Sequence, residues 1–205
     1  MSTNVGAEVF QPPNPGLLSG GARSILASVD SAEDLCLACG LCCDGALYDF
    51  VKLEPGDDAL LLKQLGLQVK VSRGRIPVTC FPQPCAALCQ DRTCRIYRDR
   101  PRQCQEFECG VLKDAKAGQI TYAAGLREVK KARRRADEVR RLLRELGDTD
   151  EHRALGERFH RTSERLEAGG GAEAVKAKYA DLTQAVHHLK LLVGEKFYLR
   201  SQAKE

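Results

Sequence analysis

The sequence predicts a small α+β cysteine-rich domain followed by an all-α helical hairpin or three-helix bundle. All ten cysteines of the 205-residue chain lie between Cys36 and Cys109. In the second half of the chain, apolar residues recur at alternating steps of three and four, which places one apolar stripe along a helix. We therefore expect a flexible leader at 1–30, a cysteine-cluster domain at 31–115 and a helical, coiled-coil-like region at 116–205.

The expected leader, 1–30, is rich in Pro, Gly, Ser and Asn, a composition that buries too little apolar surface to fold. It has neither the basic region nor the apolar run of a secretory signal. No stretch of the chain approaches the roughly 18 apolar residues of a membrane span. We therefore expect a cytoplasmic protein that does not bind membranes, in which the thiols stay reduced and bind metal rather than forming disulfides.

Within the cysteine block, the pattern predicts a short strand at 48–53 and a short helix at 56–65 that opens after a proline and closes at a glycine. Alternating apolar residues on either side of the turn 72–75 predict a β-hairpin that leads into Cys80. A block with so few core residues needs a bound metal for part of its stability.

The helical part is expected to contain three amphipathic helices, separated at Gly147 and at the glycine run 169–171. Short connections favour an antiparallel hairpin or a three-helix bundle, and pairing with a second subunit is the alternative. The apolar stripes form hydrophobic core in either case. They consist of Val129, Ala132, Ala136, Val139, Leu143 and Leu146, then Leu155, Phe159, Thr162 and Leu166, and finally Val175, Tyr179, Leu182, Val186, Leu189 and Val193.

The first cysteine cluster has the spacing C-x2-C-x2-C-C, from Cys36 to Cys43. A C-x2-C turn lets two thiolates converge on one metal about 2.3 Å away, and Gly40 suits such a turn because glycine tolerates positive φ. Cys43 directly follows Cys42, so the ferredoxin spacing is absent. Since adjacent side chains point in different directions, Cys42 and Cys43 are expected to serve two different ions, unless one of them only packs.

Histidine is absent from the cysteine block. The four histidines of the chain, His152, His160, His187 and His188, fall on the predicted helices. A site built from thiolates alone is typical of structural zinc or of iron–sulfur clusters. Hydrolytic zinc chemistry, which usually employs histidine ligands, is disfavoured.

The second half of the block reads C-x2-L and then C-x-I-Y-x2-R-P-x2-C-x2-F-x-C. With the first cluster, this pattern resembles the CxxCxxCC cysteine-cluster family, described as a zinc- or iron-chelating domain. The resemblance implies zinc or iron as the cofactor, with an iron–sulfur cluster as one form of the iron. The ligands that it implies are Cys36, Cys39, Cys42, Cys43, Cys85, Cys94, Cys104 and Cys109.

The roles of several residues of the cysteine block are not decided by the sequence. Cys80 and Cys89 fall outside the family pattern and are extra ligands, a redox pair or buried thiols. The spacing does not tell how the other cysteines pair into sites. Pro101 disfavours helix at Arg100, which either hydrogen-bonds a sulfur or carboxylate or lies on the surface. Two aromatic residues, Tyr97 and Phe107, are expected to pack over the metal site.

The expected function is metal binding without a catalytic site. The glycine run 169–171 follows no strand, so it is a linker and not a cofactor loop. Two alternatives stay open: a cluster-dependent enzyme, such as a relative of a protein lysine N-methylase with a similar cysteine motif, and a zinc-stapled nucleic-acid or protein adaptor. Basic residues outnumber acidic ones in 121–147, but aromatic residues for base stacking are few. We therefore expect a solvated helix face, with a protein partner or self-association through the helices favoured over nucleic acid.

Overall fold

The computed structural model describes residues 32–72, 75–169 and 172–198. The expected leader, the centre of the predicted hairpin turn and most of the glycine run lie outside the described residues. The described part contains seven α-helices, one 3-10 helix and a three-stranded sheet. In chain order the elements are α1 (Ala32–Cys39), β1 (Phe50–Lys52), α2 (Ala59–Gln64), β2 (Lys70–Val71), β3 (Thr79–Pro82), a 3-10 helix (Tyr97–Asp99), α3 (Arg102–Glu106), α4 (Gly110–Lys116), α5 (Tyr122–Glu145), α6 (Leu155–Gly169) and α7 (Glu173–Lys196).

The sheet has the order β1-β3-β2, and both outer strands run antiparallel to β3. Cys80 in the central strand faces Lys52 of β1 on one side and Lys70 of β2 on the other. The pairing of β2 with β3 confirms the predicted hairpin. Its first strand is shorter than the alternating pattern suggests, and its second begins later, since Ile76 and Val78 both precede β3 and Ile76 is 77% exposed.

The predicted helix at 56–65 begins three residues later than expected. Gly56 has a φ of +100°, which no residue within an α-helix adopts. Asp58 then caps α2, because its carboxylate accepts hydrogen bonds from the backbone N–H groups of Leu60 and Leu61. The helix start is therefore set by the capping carboxylate and not by the proline before it.

The three long helices follow the apolar stripes, since most stripe residues of α5 and the later stripe residues of α7 are buried. Helix α5 packs along α7 and also contacts α6. The side chain of Thr121 caps α5 by accepting from the N–H of Ala124. One prediction here is wrong: His152 lies in the turn before α6, not on a helix.

Buried apolar residues form two separate cores. The larger core joins α5 and α7 to residues of the cysteine block, among them Leu35, Leu41 and Val111. The smaller core lies under the sheet and α2 and contains Val51, Leu62, Leu67, Phe81, Ala87 and Ile96. Each core therefore supports a different part of the cysteine block.

The end of α7 lies directly against the cysteine block. The N–H of Gly110 donates to the carbonyl of Phe197 at 3.0 Å. A Cβ on Gly110 would stand 2.6 Å from the carbonyl oxygen of Lys196, so only glycine permits this approach. In addition, the hydroxyl of Tyr198 donates to the carbonyl of Leu47 at 2.8 Å. These contacts fix Gly110, the residue after Cys109, and Leu47 to the end of α7. No helix in the described part is both long and apolar enough to cross a membrane.

Candidate metal centre

The first two cysteines lie on a helix and not in the expected turn. Cys36 and Cys39 are three residues apart on α1, so their side chains share one helix face. The C-x2-C spacing fits a helical turn as well as a loop, which is why spacing alone misplaced it. Gly40 ends α1 with a φ of +68°, confirming the predicted positive φ at this position.

The chain turns sharply after α1, and this turn carries the adjacent cysteines. The N–H groups of Cys43 and Asp44 both donate to the carbonyl of Gly40, at 3.0 and 2.9 Å. The carboxylate of Asp44 accepts from the N–H of Ala46 at 3.0 Å. The turn thereby fixes Cys42, which packs against the larger core, and Cys43, whose carbonyl accepts from the N–H of Cys85.

A buried ionic clamp fastens this turn to α5, and the sequence patterns do not reveal it. Asp44 is 9% exposed, and its carboxylate lies 3.1 Å from the guanidinium groups of both Arg92 and Arg140. Arg140 also donates to the backbone carbonyl of Asp44 at 3.2 Å, and Arg92 donates to the carbonyl of Cys39 at 3.1 Å. We call Asp44, Arg92 and Arg140 the Asp44 clamp.

Four thiols form a first set: Cys36, Cys39, Cys42 and Cys109. All four line a cavity of about 60 Å³ beside the larger core. Cys39 is a member of that core, and Cys42 and Cys109 pack against it. Cys109 also precedes α4 as its N-cap residue.

The other four thiols form a second set: Cys43, Cys85, Cys94 and Cys104. All four line a cavity of about 100 Å³, which we call the larger cavity. The N–H of Cys85 donates to the carbonyl of Cys43 at 2.7 Å, joining two distant parts of the chain. Cys85, Cys94 and Cys104 pack against the smaller core. The two sets adjoin, because Cys36 and Cys42 also line the larger cavity and Cys43 also lines the cavity of the first set.

Electrostatics links the members within each set. Burial is the main cause that raises the pKa of Cys43, and the negative charges of Cys85, Cys104 and Cys94 raise it further, in that order. Burial likewise raises the pKa of Cys39 to about 12, with Cys109 the foremost of the thiols that add to it. The Cys39 and Cys43 thiols are therefore neutral at pH 7 and ionise there only when a nearby cation compensates their charge.

The thiols have the donor chemistry and the grouping that a metal requires, but they do not converge on one point in this structure. In the described part of the chain, no three Cys, His, Asp or Glu side chains already converge as a group that could hold a metal ion. All ten cysteines are free. Two sets of four soft donors match the ligand number of a tetrahedral zinc ion or of an iron–sulfur cluster. The donor set thus fits zinc or iron, and binding requires the thiols of each set to draw together.

Arg100 lines the larger cavity together with thiols of both sets. Its guanidinium stacks 3.7 Å above the ring centroid of Tyr97, and its Nε donates to the Tyr97 carbonyl at 3.0 Å. Arg100 therefore hydrogen-bonds a backbone carbonyl and not the sulfur or carboxylate considered from sequence. Burial raises the pKa values of Cys36 and Cys104, and the positive charge of Arg100 opposes this rise in both. Tyr97 and Phe107 both line the larger cavity.

The two remaining cysteines stand apart from both sets. Cys80 is 2% exposed in the central strand, and Cys89 is half-buried in a turn where its carbonyl accepts from the N–H of Arg92. Neither residue lines the cavity of either set. Cys80 therefore fits the buried thiol that sequence left as one of three alternatives.

Arginines of α5 contact the cysteine block directly. Arg133 donates to the carbonyl of Ala38 at 3.3 Å, next to Cys39, and Arg140 belongs to the Asp44 clamp. Others pair with acids on the helices, as Arg135 does with Glu138 and Arg141 with Glu145. Much of the basic charge of α5 is thus engaged within the molecule.

A family model matches the cysteine-rich part of the chain. Residues 35–126 match the model of the CxxCxxCC family, whose description is "Putative zinc- or iron-chelating domain". No curated protein and no solved structure matches the chain. The matched residues include all eight thiols of the two sets, and the resemblance noted in the sequence is confirmed. The cysteine-rich part of this chain, residues 35–126, is therefore similar to the CxxCxxCC domain, whose description is zinc or iron chelation.

Proposed function

We propose that the chain binds zinc or iron at two adjacent sites, each formed by four cysteine thiolates. The first site uses the first thiol set, and the second site uses the second thiol set. The ligands are Cys36, Cys39, Cys42 and Cys109 for the first site, and Cys43, Cys85, Cys94 and Cys104 for the second.

The observation that carries this proposal is the division of eight thiols into two sets of four. Of the two cavities, Cys39 and Cys109 line only that of the first set, and Cys85, Cys94 and Cys104 line only the larger cavity, while the other three thiols border both. Cys39, Cys42 and Cys109 belong to or pack against the larger core, whereas Cys85, Cys94 and Cys104 pack against the smaller core. We place the boundary between Cys42, which packs against the larger core, and Cys43, on which the charges of Cys85, Cys104 and Cys94 act most strongly among the thiols. Adjacent residues point in different directions, so this division agrees with the local geometry of the chain.

The helices support the proposal as a scaffold. Arg133 binds the backbone carbonyl of Ala38, within the first cysteine cluster, and Arg140 binds that of Asp44, directly after it. We infer that α5, α6 and α7 form a three-helix bundle that holds this cluster in place. Because these arginines face the cysteine block, the structure gives a reason for the basic helix that requires no nucleic acid.

Metal analysis of protein purified without oxygen tests the proposal. We expect about two zinc ions per chain, or iron with labile sulfide and a brown colour if the sites hold clusters. Cys109→Ser should remove the metal of the first site and Cys104→Ser that of the second. The double variant should remove both.

Cys89→Ser is the matched control, because Cys89 lies in the same block but lines neither cavity; it should keep the full metal content. A single variant that loses both metals would contradict two separate sites. Wild-type protein without zinc or iron, and with oxidised thiols, would contradict metal binding altogether.

A further inference from the structure

A buried glutamine faces the second thiol set without a partner for its side-chain oxygen. Gln83 is 2% exposed, and its Oε1 is fully buried and accepts no hydrogen bond. Gln83 lines the larger cavity together with all four thiols of the second set. Buried polar atoms are almost always paired in folded proteins, so an orphan that borders a cavity indicates a partner that the cavity receives.

The backbone around Gln83 is fixed, so the side chain is held at the cavity wall. Its N–H donates to the carbonyl of Asp49 at 3.0 Å. Two residues later, the N–H of Cys85 donates to the carbonyl of Cys43. A second amide at the same wall, that of Gln103, already accepts from the N–H of Lys52 at 2.7 Å. Of these two amides, Gln83 is the one whose oxygen is left unpaired.

We propose that the side-chain amide of Gln83 is a positioning group for the metal of the second site, donating an N–H to one of its thiolate sulfurs. This inference rests on the proposed function. A metal-bound thiolate accepts hydrogen bonds, whereas a neutral thiol is a weak partner. A 180° rotation of the amide about its last bond exchanges the oxygen and the NH2 group. When the site binds metal, the unpaired oxygen at the cavity wall is then replaced by an N–H that donates to the thiolate.

The effect should be confined to one site. Gln83 lines the larger cavity but not the cavity of the first thiol set. Hydrogen bonds to ligating atoms orient the ligands and tune the metal, and their loss weakens metal binding by about 10- to 100-fold. Gln83 should therefore set the affinity of the second site and leave the first unchanged.

Anaerobic titration with Co²⁺ tests this, because cobalt reports each tetrathiolate site through its sulfur-to-metal charge-transfer bands. In Gln83→Leu, we expect one of the two cobalt equivalents to bind at least about 10-fold more weakly, with a shifted charge-transfer band. In Gln83→Glu, which has nearly the same shape but lacks the N–H donor, we expect at least as large a loss. Gln64→Leu, which alters an exposed amide on α2, is the control and should titrate like wild type.

Each outcome has one meaning. If Gln83→Leu binds both equivalents as wild type does, the amide has no role at the metal. If Gln83→Glu binds the second equivalent more tightly than wild type, the side chain is an oxygen ligand and the hydrogen-bond proposal is wrong. If wild type itself binds no cobalt, the proposed function fails, and this inference fails with it. Far-UV circular dichroism identifies a misfolded Leu variant, and the Glu variant then decides.

Discussion

Burial determines the chemistry of the ligand thiols. It is the main cause of the raised pKa values of Cys39 and Cys104, each to about 12. A thiol ordinarily ionises near pH 9, so both are protonated at neutral pH. Metal binding must therefore displace protons, and the ion supplies the charge compensation that the buried thiolates lack.

We expect binding of each metal ion at pH 7 to release about four protons, one from each thiol of its set. Calorimetric titration with Zn²⁺ in buffers of different ionisation heats measures this number directly. Cys104→Ser should halve the total, because it removes the second site. Release of about two protons per ion would mean that half of the thiols are already ionised, against the raised pKa values.

The same shifts predict how the metal-free protein responds to pH. Below about pH 9 the thiols are protonated in both the folded and the unfolded chain, and stability is unaffected. As the pH rises from 9 towards 12, the unfolded chain loses its thiol protons first, so the free energy of unfolding falls. Urea unfolding of the metal-free protein at pH 8 and pH 10 should show the lower midpoint at pH 10. A higher midpoint at pH 10 would contradict the raised pKa values.

The sequence predicted which residues are candidate metal ligands better than it predicted which residues contact one another in the fold. Eight ligand candidates followed from the family pattern, since cysteine chemistry and spacing are visible in the sequence. Gln83 and Asp44 did not, because one glutamine and one aspartate carry no periodic signal. Their roles arise from chain segments that meet only in the folded protein, as when Arg92 and Arg140 approach the same carboxylate.

The Asp44 clamp links α5 to the turn that carries Cys42 and Cys43. Its carboxylate holds two guanidinium groups and one backbone N–H at once. A hydrogen bond to a charged group contributes more than one between neutral groups, especially when water is largely excluded. The clamp should therefore stabilise the turn whether or not metal is bound.

We expect Asp44→Ala to lower the free energy of unfolding by about 1–3 kcal/mol, because two partly buried arginines lose their shared acceptor. Asp137→Ala is the matched control. Asp137 also pairs with Arg140, at 2.8 Å, but it is 61% exposed. An exposed pair contributes less than about 1 kcal/mol. Urea unfolding followed by circular dichroism measures both, and equal effects would refute the special role of the clamp.

At the scale of elements, periodicity predicted the long helices and the alternating pattern predicted the hairpin. Spacing failed at α1, because an i, i+3 pair of cysteines is equally compatible with a turn and a helix. It also failed to indicate the pairing of β1 with β3, which are separated by α2 and β2. Such long-range contacts depend on which surfaces pack together, and local patterns do not contain that information.

The described part of the chain contains two hydrophobic cores of unequal size, and we expect them to depend on metal to different degrees. The larger core combines α5 and α7 with residues near the first thiol set. The smaller core lies under a three-stranded sheet whose strands are only two to four residues long. A core of this size rarely stabilises a fold by itself, so the second site should supply much of its stability.

We therefore expect metal removal to loosen the molecule in a defined order. Hydrogen–deuterium exchange of chelator-treated protein should show faster exchange in β1, α2 and β3, while the centres of α5 and α7 stay protected. Cys104→Ser, which affects the second thiol set alone, should reproduce the loss in the sheet. Cys109→Ser should instead speed exchange in α1 and α4, which pack on the larger core through Leu35 and Val111.

Exchange that accelerates equally in α5, α7 and the sheet would mean that the chain unfolds as one cooperative unit. The proposed division near residue 115 would then be wrong, because the contacts of Gly110 and Tyr198 with their partners would couple the two parts too tightly to separate. Protection that persists in the long helices would support a metal-dependent domain built on a scaffold that is folded without metal.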